Sequence, residues 1–409
     1  MPELILNRTL SYVHASKDNP GEKIVFRRGI AQPVGPKDFE WLIGTGLFLD
    51  PRFNVKLARS GGQSVPDQLR GLTPGTAVAV HRAGGLGDML LSMLGARELV
   101  LDFPELKVGF TTQTVWLPLL RDASFFAFRC SVDQLGDVGP QIGATGRTVF
   151  MINLQGLSET EHREQLDRSD LFCRHMTGHG IRNYDYPIYR RREEEARGGD
   201  IIGRDERPVL GICPNSVSPD RSWPALYVDR LIELAAAAGW HTATFHHRLV
   251  DSTHAMKKCG TANTTGRLTA PDFLCAIQAV DVMVSPDTGT THLCEALKIK
   301  CVSPFTTVEP AARLVGYKYV RALWAALPCS PCYHDPCRFH TDADFLPRPC
   351  AKAIGPHTVW REVQMVHSSK PGSWALEAEF TPLPVVHPER EPVKPREKVI
   401  RLVAAMEEA

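Results

Sequence analysis

Thr76-Ala77-Val78-Ala79-Val80-His81-Arg82-Ala83-Gly84-Gly85-Leu86-Gly87-Asp88 decides the fold. Its first six residues read as a buried strand and its glycines as a tight turn. A helix follows over 88–101, with Met89, Leu90, Met93, Leu94, Arg97 and Leu101 at mixed three-and-four spacing. The same pattern recurs far downstream. Asp281-Val282-Met283-Val284 is an apolar run, and Ser285-Pro286-Asp287-Thr288-Gly289-Thr290-Thr291-His292 carries it into a helical pattern over 290–298. Each unit sets small residues and one carboxylate where a strand hands over to a helix N-terminus. Free backbone N–H groups there can face an anion. Two such turns predict a cleft between two lobes and a phosphorylated occupant.

Working outward, strands over 107–111 and 148–153 complete the first array. The second contains strands over 208–212, 241–245 and 301–302, with helices over 225–238 and 271–280. The alternation predicts an α/β protein: two Rossmann-like βαβ domains with parallel sheets facing across a cleft. The expected order is a small α+β extension (1–72), an N-terminal acceptor domain (73–188), and a charged linker around Gly198-Gly199 (189–207). A C-terminal donor domain (208–355) and a charged tail (356–409) with a helix over 398–408 complete it.

A chain of 409 residues suits two cores better than one. Lys plus Arg (47) nearly cancels Asp plus Glu (46), which excludes a global basic field for nucleic acid but not a local patch. The N-terminus Met1-Pro2-Glu3-Leu4-Ile5-Leu6-Asn7-Arg8 lacks the apolar core of a signal peptide, and no stretch has the apolar length of a membrane span. The expected location is cytoplasmic. Of eleven cysteines, an odd number, seven are scattered in mostly apolar or helical contexts, as reduced small hydrophobes are. The others form Cys329-x2-Cys332-x4-Cys337-x12-Cys350, with His334 and His340 between them. Four thiols suit a tetrahedral structural zinc. The spacing is not a clean double Cys-x-x-Cys, so reduced structural cysteines or a redox-labile pair stand as alternatives.

The turn through Gly85 and Gly87 matches neither common nucleotide fingerprint. No Lys-Ser/Thr follows it, and Leu90 stands where a dinucleotide site wants glycine. That disfavours an ATPase or a dehydrogenase. Asp88 is either a helix cap or a carboxylate at a strand's C-terminal edge, where open α/β sheets bind ligands. Asp287 can cap the next helix, Gly289 admits close backbone approach, and Thr288 and His292 stand four apart on one face. A third element is Cys213-Pro214-Asn215-Ser216-Val217-Ser218-Pro219-Asp220-Arg221-Ser222-Trp223-Pro224. Ser216 and Arg221 can contact phosphate oxygens, and Pro224 suits a helix start. The alternative is an ordinary loop with Trp223 packed beneath it.

In this order, Gly87-Asp88, Arg221-x-Trp223-Pro224, Asp287-Thr288-Gly289-x-x-His292 and Pro304-Phe305 with the Pro310 loop resemble the family-9, heptosyltransferase-like glycosyltransferases. The resemblance spans 76–355 and implies the two-lobed GT-B architecture. It makes Asp88 the catalytic base, with Gly85 and Gly87 in the acceptor-side loop. It assigns the sugar diphosphate to Asp287, Thr288, Gly289 and His292, and gives Arg221 the place of a basic residue that is usually lysine. Where many relatives have an acidic ribose-binding residue, this chain has Phe245-His246-His247-Arg248, with no acid until Asp251. It departs there from the pattern that goes with the family's ADP-linked heptose.

The expected activity is inverting, metal-independent transfer of a sugar, heptose among the candidates, from a nucleotide-diphosphate sugar to an acceptor hydroxyl. No catalytic cofactor is required. The acceptor classes are a glycan, a lipid-linked glycan, a protein or a modified nucleic acid. The alternatives are a nucleotide-sugar epimerase-like enzyme and a non-catalytic sugar- or protein-binding module.

Overall fold

The computed structural model describes six short strands within 3–57. It also describes residues 63–373, apart from 136–137, 139–140, 146–147, 156, 158–166, 217–220, 247, 326, 328, 330 and 333–348. The strands are β1 (Glu3–Leu6), β2 (Ser11–Ala15), β3 (Lys23–Arg27), β4 (Ala31–Pro33), β5 (Phe48–Leu49) and β6 (Asn54–Leu57). β1 pairs antiparallel with β4 and β5, and β2 pairs antiparallel with β3. β6, from the stretch read as an extension, instead joins the first lobe.

That lobe is a parallel sheet in the order β6-β10-β7-β8-β9, with β7 (Ala77–His81), β8 (Lys107–Thr112), β9 (Arg129–Ser131) and β10 (Thr148–Asn153). The chain moves one way from β7 through β8 to β9, then returns to β10 on the other side of β7. The C-terminal ends of β7 and β10 therefore flank a crevice where successive connections diverge. The second lobe has β11 (Val209–Ile212), β12 (His241–Thr244), β13 (Ala262–Asn263), β14 (Val282–Val284), β15 (Lys300–Phe305) and β16 (Val320–Trp324). Its order, β13-β12-β11-β14-β15-β16, is again parallel throughout and is that of a doubly wound nucleotide-binding sheet. Its crevice lies between β11 and β14. The loops after those strands are the ones that carry Arg221 and Asp287.

The helices are α1 (Val65–Arg70), α2 (Leu86–Asp102), α3 (Arg168–Thr177), α4 (Arg192–Ile202), α5 (Ala225–Ala237), α6 (His254–Cys259), α7 (Ala270–Gln278), α8 (Gly289–Ala296), α9 (Pro349–Ala353) and α10 (Pro356–Ser368). α2 is buried on most of its circumference, Met89, Leu90, Leu91, Met93, Leu94 and Leu99 being shut off from solvent. It packs against α3 and, across the lobes, against α8. The apolar core on this face runs on into the second lobe through Leu293 and Leu297.

Two stretches differ from their sequence reading. The charged stretch around Gly198-Gly199 is helical as α4, and Gly198 lies so close to α7 that a Cβ there would meet the Cys275 carbonyl. The segment after Pro356 begins not as a tail but as α10, whose Val359, Trp360, Val363 and Val366 are buried against the second lobe. Their i, i+4, i+7 spacing makes one apolar stripe, which the charged residues between them obscure. The helix expected over 398–408 lies outside the described residues. No helix among the described residues is long and apolar enough to cross a membrane.

Candidate functional site

At the first crevice, Gly84 turns at φ 114°, a conformation that disfavours side chains, and Gly85 caps α2 without a side-chain hydrogen bond. Asp88, one turn into α2, is not the cap. Its Oδ2 accepts from Arg82 Nη2 at 2.5 Å and its Oδ1 from Arg168 Nη1 at 2.8 Å. Arg82, directly after β7, also donates to the Leu154 carbonyl at 3.1 Å and to Gln155 Oε1 at 2.7 Å, both just beyond β10. It therefore braces the crevice, with its guanidinium 5.4 Å from the centre of the Phe172 ring. Burial pushes the Asp88 pKa up, but the charges and hydrogen bonds of Arg168 and Arg82 outweigh it and lower the pKa to about 2. The side chain stays ionised and 22% exposed to the cleft.

In the second lobe the cap is Thr288, whose Oγ1 accepts from the Thr290 N–H at 3.3 Å. The sequence reading of Asp287 as cap is thus corrected. Asp287 is buried, and Arg221 Nη1 donates at 3.2 Å both to its Oδ2 and to its backbone carbonyl. Burial raises the Asp287 pKa, while Arg313, Arg221 and the other cations nearby lower it further. The loop bearing Arg221 is anchored by Trp223, buried and donating through Nε1 to the Ile354 carbonyl at 3.0 Å. Trp223 packs beneath the loop, as the alternative reading has it, while Arg221 faces the cleft. His292 lies 4.0 Å from Asp287 Oδ1 through Nε2, and its Nδ1 is 2.7 Å from the Tyr317 hydroxyl. Burial is the main cause that lowers its pKa to about 4, so the ring is neutral.

The lobes meet where α2 and α8 begin. A Cβ on Gly87 would lie 2.8 Å from His292 Cδ2, and one on Gly289 would lie 2.8 Å from Leu86 Cβ and 2.9 Å from the Gly87 nitrogen. Only glycine lets the two helix starts touch in this way. The contact brings both positive helix ends to one cleft of ≈ 510 Å³. Gly85, Gly87, Asp88 and Arg168 line it from the first lobe. Ser216, Arg221, Asp287, Thr288, Gly289 and His292 line it from the second. Trp116, donating through Nε1 to the Gly84 carbonyl at 3.2 Å, forms the first lobe's lip with Val115. Phe245 and Phe273, with rings 6.1 Å apart, and Leu268 form an apolar end.

Every residue expected at the donor and acceptor sides therefore lines one cleft. Sequence reasoning missed Arg82, Arg168 and Arg313. Arg82 stands between the strand and the glycine turn, a position that could have flagged it. Arg168 and Arg313 belong to no local pattern. Of the cysteine cluster, Cys329 and Cys332 are partly buried and Cys350 is buried, whereas Cys337 lies outside the described residues. Among the described residues no group of three or more His, Cys, Asp or Glu side chains is placed to hold a metal ion.

This combination, two doubly wound sheets with a shared cleft at their crevices, is the GT-B architecture. Residues 184–342 match the profile of Glycosyltransferase family 9 (heptosyltransferase). Comparison with curated proteins gave no match. Among solved structures, the chain resembles ADP-heptose LPS heptosyltransferase II of E. coli, with 14% identity, TM-score 0.52, and 71% of this chain and 98% of that one covered. It also resembles a glycosyl transferase family 9 protein of Veillonella parvula, with 12% identity, TM-score 0.52, and 72% and 98% coverage. A third is TibC of enterotoxigenic E. coli, described as a dodecameric iron-containing heptosyltransferase in complex with ADP-D-beta-D-heptose. It gives 12% identity, TM-score 0.51, and 90% and 91% coverage. At these identities the likeness is one of fold.

Proposed function

We propose that the protein transfers a sugar from a nucleotide-diphosphate sugar to an acceptor hydroxyl, inverting the anomeric carbon. The observation that carries this reading is the ionised Asp88 of one lobe facing the N-terminus of α8 and Arg221 of the other across a single cleft. The diphosphate lies against the free N–H groups of α8, with Ser216 and Arg221 beside it. As the glycosidic bond breaks, charge grows on this leaving group, and the fixed N–H dipoles and the guanidinium stabilise it. Asp88 takes the proton of the acceptor hydroxyl as its oxygen attacks. The lip of Val115 and Trp116 limits water at the reacting carbon.

The family and the ligand named for TibC favour a heptose donor. The apolar end at Phe245 and Phe273 suits a nucleobase, and the ribose is held without a carboxylate from 245–250. Charge stabilisation by N–H groups and Arg221 is the basis for metal-independent transfer. TibC is described as iron-containing. Here the described cysteines do not by themselves form a metal site.

The test is native mass spectrometry against a panel of nucleotide sugars, followed by product analysis with donor alone. Retention of one donor without its epimerisation is expected. Epimer formed from donor alone would replace transfer with the epimerase-like alternative, and retention of none would leave a non-catalytic module.

A further inference from the structure

Behind the cleft, three buried side chains form a chain of hydrogen bonds. Tyr186, in the segment joining α3 to α4, has its hydroxyl 3.1 Å from that of Tyr317, in the turn before β16. The Tyr317 hydroxyl is 2.7 Å from His292 Nδ1, and the two rings are perpendicular at 5.8 Å. The Nε2 edge of the imidazole faces the cleft, with Asp287 Oδ1 at 4.0 Å and Gly87 against Cδ2.

Counting hydrogens decides the direction of this chain. Each tyrosine has one O–H to donate, and a neutral imidazole has one N–H. If Nδ1 carried the proton, Tyr317 would donate to Tyr186. The Tyr186 hydrogen would then have no acceptor among the described residues, and the bare Nε2 lone pair would face the Asp287 carboxylate. If Tyr186 donates to Tyr317 and Tyr317 to Nδ1, both tyrosine hydrogens are used. The remaining N–H, on Nε2, then points toward the carboxylate side. A tyrosine hydrogen sealed behind the cleft with no acceptor is costlier than an N–H at the cleft edge on the side of a carboxylate. The neutrality of the ring, a consequence chiefly of its burial, agrees with this.

We propose that Tyr317, backed by Tyr186, is a positioning residue that fixes His292 as its Nε2–H tautomer, so that the cleft is offered a neutral hydrogen-bond donor. A neutral donor at this position bonds the developing charge of a diphosphate without giving up its proton to it. The tautomer stands on hydrogen-bond geometry alone, and only the use of that N–H rests on the function proposed above.

The test is ¹⁵N spectroscopy of His292 in the wild-type protein at neutral pH. A pyridine-like Nδ1 and a pyrrole-like Nε2 are expected. A protonated Nδ1, in either a neutral or a cationic ring, would overturn the proposal. In Tyr317→Phe the tautomers should mix and turnover should fall by about tenfold, the scale of one net hydrogen bond. A folded Tyr317→Phe protein with an unchanged spectrum would also overturn it. Adding inorganic pyrophosphate should move the Nε2 resonance. A silent Nε2 in a ring of the expected tautomer would refute the diphosphate role while leaving the positioning by Tyr317 intact.

Discussion

The two strand–turn–helix units that meet across the cleft carry one carboxylate each, in comparable sequence settings, yet they use it differently. Asp88 is partly open to the cleft and held by two arginines of its own lobe, Arg82 and Arg168. Asp287 is almost fully buried, and its partners Arg221 and His292 are themselves cleft-lining groups. One carboxylate is presented to the cleft, while the other orders groups that line it. Helix capping, the role that sequence offers both, belongs to neither.

The strongest way to break this contrast is Asp88→Asn. Removing proton acceptance while keeping shape should cut turnover by about a hundredfold or more, with nucleotide-sugar affinity nearly unchanged. Because Gly85 and not Asp88 caps α2, a folded and near-normally active variant would eliminate the base assignment outright. Next comes stability. Asp287→Ala strands the charges of the buried Arg313 and the partly buried Arg221 and should cost about 3–5 kcal/mol in denaturant titration, clearly more than Asp88→Asn. Equal costs would erase the distinction between a presented and an ordering carboxylate.

Arg221→Ala should weaken nucleotide-sugar binding by about 1.5–3 kcal/mol in calorimetry, the scale of a charged hydrogen bond. Unchanged binding would reduce Arg221 to a partner of Asp287. The smallest effect is in the pH dependence of stability. His81 and His292 have pKa values near 4, depressed mainly by burial, against an ordinary 6.5. Between those limits the unfolded chain binds the extra protons, so stability should fall as pH drops from 6.5 toward 4. Glu295, raised to about 7 by burial, acts in the opposite sense over pH 4.5 to 7. His292→Gln should therefore flatten the acid slope seen in thermal melts, and an unaltered slope would contradict a neutral buried imidazole.

The strands and helices around the glycine turns were legible because each combines an apolar run with punctuation that only a turn or cap requires. The residues of the cleft were legible for the same reason, since strand ends carry ligands in open sheets. What stayed hidden depends on contacts distant in the chain. Arg168 reaches Asp88 from another helix, and nothing around it in sequence marks that target. Tyr186 and Tyr317 meet only because the segment between the lobes crosses the turn before β16. The apolar stripe of α10 is interleaved with charges, so composition concealed it.

The meeting of Gly87 with Gly289 makes the spacing between the lobes a property of bare backbone. A single methyl at either position is then a wedge of known thickness, placed where it removes no charge and no hydrogen bond. Alanine at one site, and then at both, would turn the width of the cleft into an adjustable variable. The dependence of sugar transfer on distance could then be measured in a protein whose reacting groups are all still present.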